Sequence, residues 1–311
     1  MTVASSLHKH VLDHLGVSSV AVVVGGSMGG MTVLEWPLCT PNGYIRRVVP
    51  IATSARHSAW CISWGEAQRQ SVYSDPEYAD GYYTKQPASG LAAARMTALL
   101  TYRSRDSFES RFGRTPQYAH PPEEAGVVTP PRSPHSVPTD ALAAHNDGLR
   151  NVRTPSSPST PPTAIFSAQS YLRYQGNKFV ARFDANCYIH ITRKLDTHDV
   201  ARGRGLPEAV LAQLPPRALV IGIETDGLFM LSEQREIAAN IPDAELVVIQ
   251  SQDGHDGFLL EFEQINTHIL RFLMREFPGY YRDGSNNEPT ESFEIRKASV
   301  FGEAEVDLTR W

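Results

Sequence analysis

The chain has 311 residues, of which 41% are hydrophobic and 9% aromatic, enough for one large domain with a buried core and an insertion. Its formal net charge of -5 at pH 7 gives no electrostatic reason to expect nucleic acid or an anionic membrane as a partner. No apolar run approaches the length of a membrane span.

The number and spacing of the cysteines indicate whether the protein works in a reducing or an oxidising compartment. Cys39, Cys61 and Cys187 are odd in number and widely spaced, which argues against a disulfide framework and against a zinc cluster. The first ten residues lack the apolar core of a secretory signal. We therefore expect a reduced, cytoplasmic protein without a metal site.

The first predicted elements are a helix at residues 5–15, which stops at Gly16, and a strand at residues 20–24. The strand is short, apolar and β-branched, which is typical of a central strand in a parallel sheet. Helix-compatible residues resume at 31–36, so residues 25–30 must form a very tight turn between strand and helix. Glycines are needed where such a turn takes positive φ or leaves no room for a Cβ atom.

The rest of the chain alternates predicted helices and strands, as a parallel α/β sheet requires. In chain order they are a strand at 46–52, a helical region at 60–111, one or two helices within 167–199, a helix at 206–213, a strand at 218–226, a helix at 232–241 capped by Ser232, a strand at 244–250 and a closing helix at 258–277. Residues 113–162 are rich in Pro, Ser and Thr, which predicts a disordered insertion rather than a proline-rich ligand for a partner. Residues 279–311 form a polar tail.

The tight turn carries the motif G-x-S-x-G, centred on Ser27 between a strand and a helix. A serine hydroxyl becomes a nucleophile when a base takes its proton, and that base needs a carboxylate to hold its tautomer. Asp226 and His255 follow in that order, each directly after a later predicted strand. Open α/β sheets place their sites at these carboxyl ends, so we predict a catalytic triad of Ser27, Asp226 and His255.

Several other side chains compete with this assignment. Asp253 is a second candidate for the acid, although it lies in the same loop as the histidine. His190, His198 and His268 lie in predicted helices or at their ends, where we expect solvent-exposed side chains without a catalytic role. The glycine-rich turn lacks both the G-x-G-x-x-G and the G-x-x-x-x-G-K-[ST] spacing, which argues against dinucleotide or nucleotide binding.

Five segments together resemble a known family. They are "VVGGSMGGMTVLEW", "VVPIATSARHSAW", "YLRYQGNKFVARFDANCYIHIT", "DTHDVARGRG" and "DGHDGF". They are similar to the homoserine O-acetyltransferase family of the α/β-hydrolase fold, whose fungal branch includes deacetylcephalosporin C acetyltransferase, with serine O-acetyltransferases also in the group. The similarity extends from about residue 7 to residue 272, broken by the insertion.

The resemblance implies an α/β-hydrolase core at residues 1–59 and 206–278, with a helical lid at residues 60–112 and 163–205. It also implies strands upstream of the first one here, together with a second backbone donor to an oxyanion. We therefore expect a fragment, a mis-started gene model or a degenerate relative. The family function is the prediction, and an inactive shortened polypeptide is kept as an alternative.

The resemblance further implies a ping-pong transfer, in which Ser27 takes acetyl from acetyl-CoA as co-substrate and passes it to the hydroxyl of L-homoserine. No resident cofactor is implied, and a homodimer would form through the lid helices. The N–H of Met28 would face the oxyanion, a role for which a backbone donor suffices. Asp256 would hold the amino group of the acceptor.

Two pocket residues carry over from the resemblance less directly. Arg182 matches the arginine associated with the carboxylate of the acceptor, where a bidentate fork suits the geometry, although the nearby Arg173 is an alternative. Tyr188 would line the pocket. Other functions remain open: transfer to serine or to a cephalosporin alcohol, a succinyl donor, or an esterase or thioesterase that uses the same triad with water.

Overall fold

The computed structural model describes residues 2–117 and 165–281. Residues 118–162 of the predicted insertion and the polar tail from residue 282 onward lie outside the described residues. The prediction of disorder from residue 113 was wrong for Pro116–Gln117, which form a short strand paired with Ile165–Phe166. The helices are α1 Thr2–His14, α2 Met28–Leu38, α3 Ala59–Tyr73, α4 Ala88–Tyr102, α5 Arg105–Phe112, α6 Ser167–Val180, α7 Ala185–Asp196, α8 Pro207–Leu211, α9 Leu231–Asn240, α10 Gly257–Leu260 and α11 Phe262–Glu276. The strands are β1 Val23–Gly26, β2 Val48–Ile51, β3 Pro116–Gln117, β4 Ile165–Phe166, β5 Leu219–Ile223 and β6 Glu245–Ile249.

Four parallel strands form one sheet in the order β1-β2-β5-β6. Val23 pairs with Val48 at the start of β1, and Ile51 pairs with Ile221 between β2 and β5. Among the described strands, β1 is at the edge of this sheet and has β2 as its neighbour. Because all four strands are parallel, the loops that follow β1, β5 and β6 leave from the same edge of the sheet. This arrangement allows residues more than two hundred positions apart to meet.

The core lies on both faces of the sheet, because successive strand residues point to opposite sides. On one face, Val48 and Val220 pack with Ile237 of α9 and with α2. On the other face, Ile221 packs with Phe272 of α11. These residues are fully or almost fully buried, which matches a sheet covered by helices on both sides.

A second group of helices, α3 to α7, corresponds to the predicted lid, and we call it the lid. Helix α4 packs against both α3 and α6, and α3 also packs against α7. Its apolar side chains form a cluster separate from the two sheet faces, which includes Leu91, Phe179 and Tyr188. The lid therefore has its own small core beside the sheet.

Two sequence-based predictions about helix ends were wrong. Helix α9 begins at Leu231 with Met230 as its N-cap, so Ser232 lies inside the first turn and does not cap the helix. The closing helix is not continuous from residue 258, because it breaks at Glu261 into α10 and α11. Among the helices that the structure describes, none is both long and apolar enough to cross a lipid bilayer.

Candidate active site

Ser27 forms the turn between β1 and α2 by itself, since β1 ends at Gly26 and α2 begins at Met28. Its backbone has φ 56° and ψ -122°, a conformation that non-glycine residues rarely adopt and that costs of order 1–3 kcal/mol. Two hydrogen bonds hold it there: the Ser27 N–H donates to the Ile51 carbonyl at 2.9 Å, and Thr53 Oγ1 donates to the Ser27 carbonyl at 2.8 Å. The strained turn is therefore fixed by β2 and the loop after it.

Two of the glycines around Ser27, Gly25 and Gly30, are needed because other atoms already fill the space of a side chain. A Cβ atom on Gly25 would lie 2.7 Å from the backbone carbon and oxygen of Gly29. A Cβ atom on Gly30 would lie 2.6 Å from Cβ and Cγ2 of Thr53. The helix can thus start directly against the end of the strand, which exposes the serine hydroxyl at the sheet edge.

The hydroxyl of Ser27 meets the imidazole of His255, which lies in a short turn after β6. Ser27 Oγ is 2.9 Å from Nε2, and Nδ1 is 2.7 Å from Oδ2 of Asp226, which follows β5. A carboxylate can only accept, so in the neutral ring Nδ1 carries the proton and Nε2 accepts from the serine hydroxyl. This is the order of donors and acceptors that a serine nucleophile, its base and an orienting acid require.

Burial and packing fix the His255 ring. His255 is 3% exposed and Asp226 is 5% exposed. The rings of Phe229 and Phe258 lie 5.3 and 5.1 Å from the imidazole, and the ring of Tyr102 lies 6.3 Å away. Water is largely excluded from this contact, which strengthens the hydrogen bonds within it.

The structure separates the competing acids. Asp253 does not reach His255; its Oδ1 instead accepts from Ser107 Oγ at 2.7 Å and lies 2.6 Å from Nη1 of Arg103. Asp226, by contrast, is placed behind the imidazole because β5 and β6 are neighbours in the sheet. The geometry favours Asp226 as the orienting acid.

The competing histidines lie elsewhere. His190 is exposed and His268 is partly exposed, in agreement with their predicted place on the surface. The prediction was wrong for His198, which is only 3% exposed and donates from Nε2 to the Ser54 carbonyl at 3.0 Å. Burial lowers the pKa of His198, so it is a neutral structural residue at neutral pH.

A cavity of about 640 Å³ opens above the serine, between the sheet edge and the lid. Its wall is mainly apolar, with a few polar groups near Ser27. Met28 lines it and is the first residue of α2, so its N–H has no acceptor within the helix and is available to a ligand. A cavity of this size is larger than a small amino acid needs, and it leaves room for part of a second substrate.

Asp256, the residue after the histidine, lines the same cavity and is almost fully buried. Burial raises the pKa of Asp256 to about 6, although Arg103, whose Nε lies 2.9 Å from Oδ2, opposes that rise. At neutral pH the carboxyl is therefore mainly ionised. A buried carboxylate at the edge of a cavity suits a cationic group on a ligand.

The other two predicted pocket residues also line the cavity. Arg182 is exposed on the protein surface, with its guanidinium 5.6 Å from the ring of Phe179. The alternative, Arg173, does not line this cavity. Tyr188 is buried, and its hydroxyl donates to Oε1 of Gln68 at 2.7 Å.

Sequence reasoning missed three polar residues at this site. Arg95 and His57 line the cavity, and Arg103 contacts Asp256 from the end of α4. Burial lowers the pKa of His57 to about 4, so its ring is neutral at neutral pH. Arg95 and Arg103 lie in or next to a lid helix whose sequence carries no motif, and His57 lies in a segment that carries the family resemblance but no catalytic motif of its own. Only the packing of the lid against the sheet brings the two arginines to the site.

The described residues hold no group of three or more histidines, cysteines or acids placed to bind a metal ion. None of the three cysteines forms a disulfide.

Comparison with known proteins identifies a matching family model and several similar enzymes. A family model described as alpha/beta hydrolase fold matches residues 1–262. Homoserine O-acetyltransferase of Cryptococcus neoformans var. grubii is 51% identical over 98% of this chain and 75% of its own length. The enzymes of that name from Emericella nidulans and Saccharomyces cerevisiae are 50% and 47% identical, each over 98% of this chain and 71% of their own length.

Solved structures confirm the predicted fold class. Homoserine O-acetyltransferase from Bacillus anthracis superposes with a TM-score of 0.67 at 17% identity, over 87% of this chain and 64% of that chain. Esterase E22 superposes with a TM-score of 0.65 at 22% identity, over 86% of this chain and 65% of that chain. The chain thus spans slightly less than two thirds of these structures, and identities this low establish only the shared fold.

Proposed function

The chain belongs to the homoserine O-acetyltransferase family of acyltransferases within the alpha/beta hydrolase fold, and from this membership we propose that it transfers an acetyl group to the hydroxyl of homoserine. The observation that carries the proposal is the hydrogen-bonded series from Ser27 Oγ through His255 to Asp226, at 2.9 and 2.7 Å. It supplies a nucleophile, a base and an orienting acid at the mouth of a cavity.

In the first half-reaction, Ser27 Oγ attacks the thioester carbonyl of acetyl-CoA while His255 Nε2 takes the hydroxyl proton. The Met28 N–H donates to the oxyanion of the tetrahedral intermediate. As the intermediate collapses, the carbon–sulfur bond breaks and His255 returns the proton to the CoA sulfur. The products are free CoA and acetyl-Ser27.

In the second half-reaction, the acceptor hydroxyl gives its proton to His255 and attacks the acetyl-Ser27 carbonyl. The ester to Ser27 then breaks, and His255 returns the proton to the serine oxygen. Asp256 holds the ammonium group of the acceptor, supported by its burial beside the cavity. Arg182 holds the acceptor carboxylate, supported by its place in the cavity wall, and Tyr188 shapes that wall.

We propose the same setting for the protein as the sequence suggested: acetyl-CoA as co-substrate, no resident cofactor, a place in the cytoplasm and in methionine biosynthesis, and a homodimer through the lid. The dimer is supported by apolar side chains exposed on lid helices, among them Leu100 of α4 and Tyr174 of α6. Sedimentation analysis tests it: the Leu100→Asp variant should shift the protein towards monomer.

Serine and a cephalosporin alcohol are the alternative acceptors that the sequence resemblance suggested. The cavity of about 640 Å³ has room for an acceptor larger than homoserine, so both alcohols belong in the test. A hydrolase would use the same triad with water. Asp256 distinguishes an acetyltransferase with an amino-acid acceptor from a hydrolase, because an esterase has no use for a carboxylate that binds an ammonium group. Unchanged turnover in Asp256→Ala would therefore contradict an amino-acid acceptor.

The decisive experiment follows acetyl-CoA and homoserine by release of free CoA, and by mass spectrometry of the peptide that contains Ser27. We expect CoA release that depends on homoserine, and one acetyl group on that peptide when the acceptor is omitted. Ser27→Ala should abolish both signals. CoA release that survives this substitution would rule out Ser27 as the nucleophile.

A further inference from the structure

Arg103 lies outside the triad and outside the predicted pocket residues, at the C-terminal end of α4. Its side chain is 3% exposed and reaches the turn that carries His255 from the lid side. Nη1 lies 2.6 Å from Oδ1 of Asp253, and Nε lies 2.9 Å from Oδ2 of Asp256. One guanidinium thus contacts the acids on both sides of His255 in the sequence.

The segment around Arg103 also contacts the histidine turn through other residues. Ser104 Oγ donates to the Gln252 carbonyl, and Ser107 Oγ donates to Asp253. Gly254 has φ +68°, and a Cβ atom there would lie 2.5 Å from the Ser104 nitrogen. The end of α4 therefore packs against the histidine turn without space for a side chain between them.

Of the two acids that Arg103 contacts, only Asp256 lines the cavity. We infer that Arg103 is a positioning residue that holds the Asp256 carboxylate charged and oriented towards the acceptor, and so acts on the second half-reaction rather than on the first. This inference rests on the proposed function. Its physical basis is that the guanidinium brings a permanent positive charge to within 2.9 Å of a buried carboxylate, which needs such a charge to stay ionised.

The charges around Asp256 determine in which direction its pKa changes when Arg103 is removed. Burial raises the pKa of its carboxyl to about 6, while the charges of Arg103, His255 and Arg95 lower it and Asp253 raises it. Tyr171 and Arg111 also face this group. Removing Arg103 should thus raise the pKa further, so that less of the carboxylate form exists at neutral pH.

The test is ping-pong kinetics on Arg103→Gln, because kcat/KM for each substrate reports one half-reaction. At pH 7 we expect kcat/KM for homoserine to fall at least about tenfold and kcat/KM for acetyl-CoA to stay within about threefold. The pH below which kcat/KM for homoserine falls should move above 6 in this variant. Arg103→Lys keeps the positive charge but loses the guanidinium that contacts both acids, so it should recover part of the kcat/KM lost in Arg103→Gln. If Arg103→Gln does not fold, the same measurements are made on Arg103→Lys.

Ser107→Ala is the matched control, because it removes a contact to Asp253 and leaves Asp256 untouched; both constants should stay within about twofold of the wild type. Equal losses in the two constants, or no loss in either, would overturn the inference and leave Arg103 a structural tether. A wild-type chain that releases no CoA would instead overturn the proposed function. In that case the inference can still be tested by following the infrared carboxyl signal of Asp256 against pH, with the signal assigned by its loss in Asp256→Asn. If Arg103→Gln leaves the pKa of Asp256 unchanged, the inference is contradicted.

Discussion

Asp226 uses both of its carboxylate oxygens, which explains how one residue can fix the orientation of an imidazole. Oδ2 accepts from His255 Nδ1, while Oδ1 accepts from the backbone N–H groups of Leu228 and Phe229 at 2.8 and 2.9 Å. The carboxylate cannot rotate without losing these bonds. The tautomer of His255 therefore depends on Asp226 and on the loop that follows β5.

Asp226→Asn should lower kcat about 10³–10⁴-fold while leaving the fold intact, because an amide can donate to Nδ1 and stabilise the wrong tautomer. Steady-state release of CoA measures the loss. Asp253→Asn is the control and should cost less than about tenfold, since Asp253 does not contact the imidazole. A larger loss in Asp253→Asn than in Asp226→Asn would reverse the assignment of the acid.

The acceptor step should depend on pH through Asp256, whose pKa burial raises to about 6. In the proposed function the carboxylate form holds the ammonium group of the acceptor, so kcat/KM for homoserine should fall as the pH drops through 6. The Asp256→Asn variant should lose this limb and most of its affinity for the acceptor. Profiles of kcat/KM for both substrates between pH 5 and 8 test this, because an Asp256 limb that also appears for acetyl-CoA would contradict the assigned role.

At the scale of elements, the turn between β1 and α2 depends on how closely the helix starts against the strand. A Cβ atom on Gly25 would overlap the backbone of Gly29, and one on Gly30 would overlap the side chain of Thr53. By contrast, a Cβ atom on Gly29 would meet nothing within 4 Å. Neighbouring glycines in one motif thus serve different purposes: two permit close packing, and one is open to substitution.

Gly25→Ala should destabilise the protein by about 1–3 kcal/mol, because the new methyl group overlaps the backbone of Gly29 and forces strand and helix apart. Gly29→Ala places the same group in open space within α2 and should leave stability unchanged or raise it by about 0.5–1 kcal/mol. Urea unfolding of both variants gives the comparison. Equal stability of the two would mean that the close approach at Gly25 is not limiting.

At the scale of the whole molecule, Glu276 at the end of α11 connects the last helix to the start of β2. Its side chain is almost fully buried, and its Oε2 lies 2.7 Å from Nε of Arg47. Nε of Arg217 lies 3.4 Å from the same Oε2, and Nε of Arg275 lies 3.2 Å from Oε1 of Glu276. Burial opposes the charged form, but these arginines outweigh it and hold the pKa of Glu276 below its ordinary value of 4.5.

Glu276→Ala should lower the free energy of unfolding by about 1–3 kcal/mol at pH 7, since it removes charge-assisted hydrogen bonds. Because the pKa of Glu276 is lowered in the folded state, its stabilisation is present above the unfolded pKa and is lost as the pH falls through the folded value. The difference between wild type and variant should therefore vanish in acid. Asn266→Ala, at an exposed position of α11, is the control and should change stability by less than about 0.5 kcal/mol at any pH.

The sequence by itself determined the fold class and the family, because both depend on local patterns. Alternating apolar strands and helices predict a parallel sheet, and the turn around Ser27 is written in consecutive residues. The order of Ser27, Asp226 and His255, each after a strand, also predicted which loops would meet, since parallel strands bring those loops to one edge. Helix ends were less predictable: Met230, not Ser232, caps α9, since the cap depends on where the preceding loop lets the helix begin.

Only the tertiary structure decided which residues face one another within those loops. It placed Asp226 rather than Asp253 behind His255, because β5 lies beside β6 while Asp253 turns towards the lid. It also buried His198 and brought Arg103 to Asp256 across about 150 positions of sequence. The physical reason is that packing between lid and sheet is set by the shapes of many side chains together, and no short stretch of sequence records which surfaces it brings into contact.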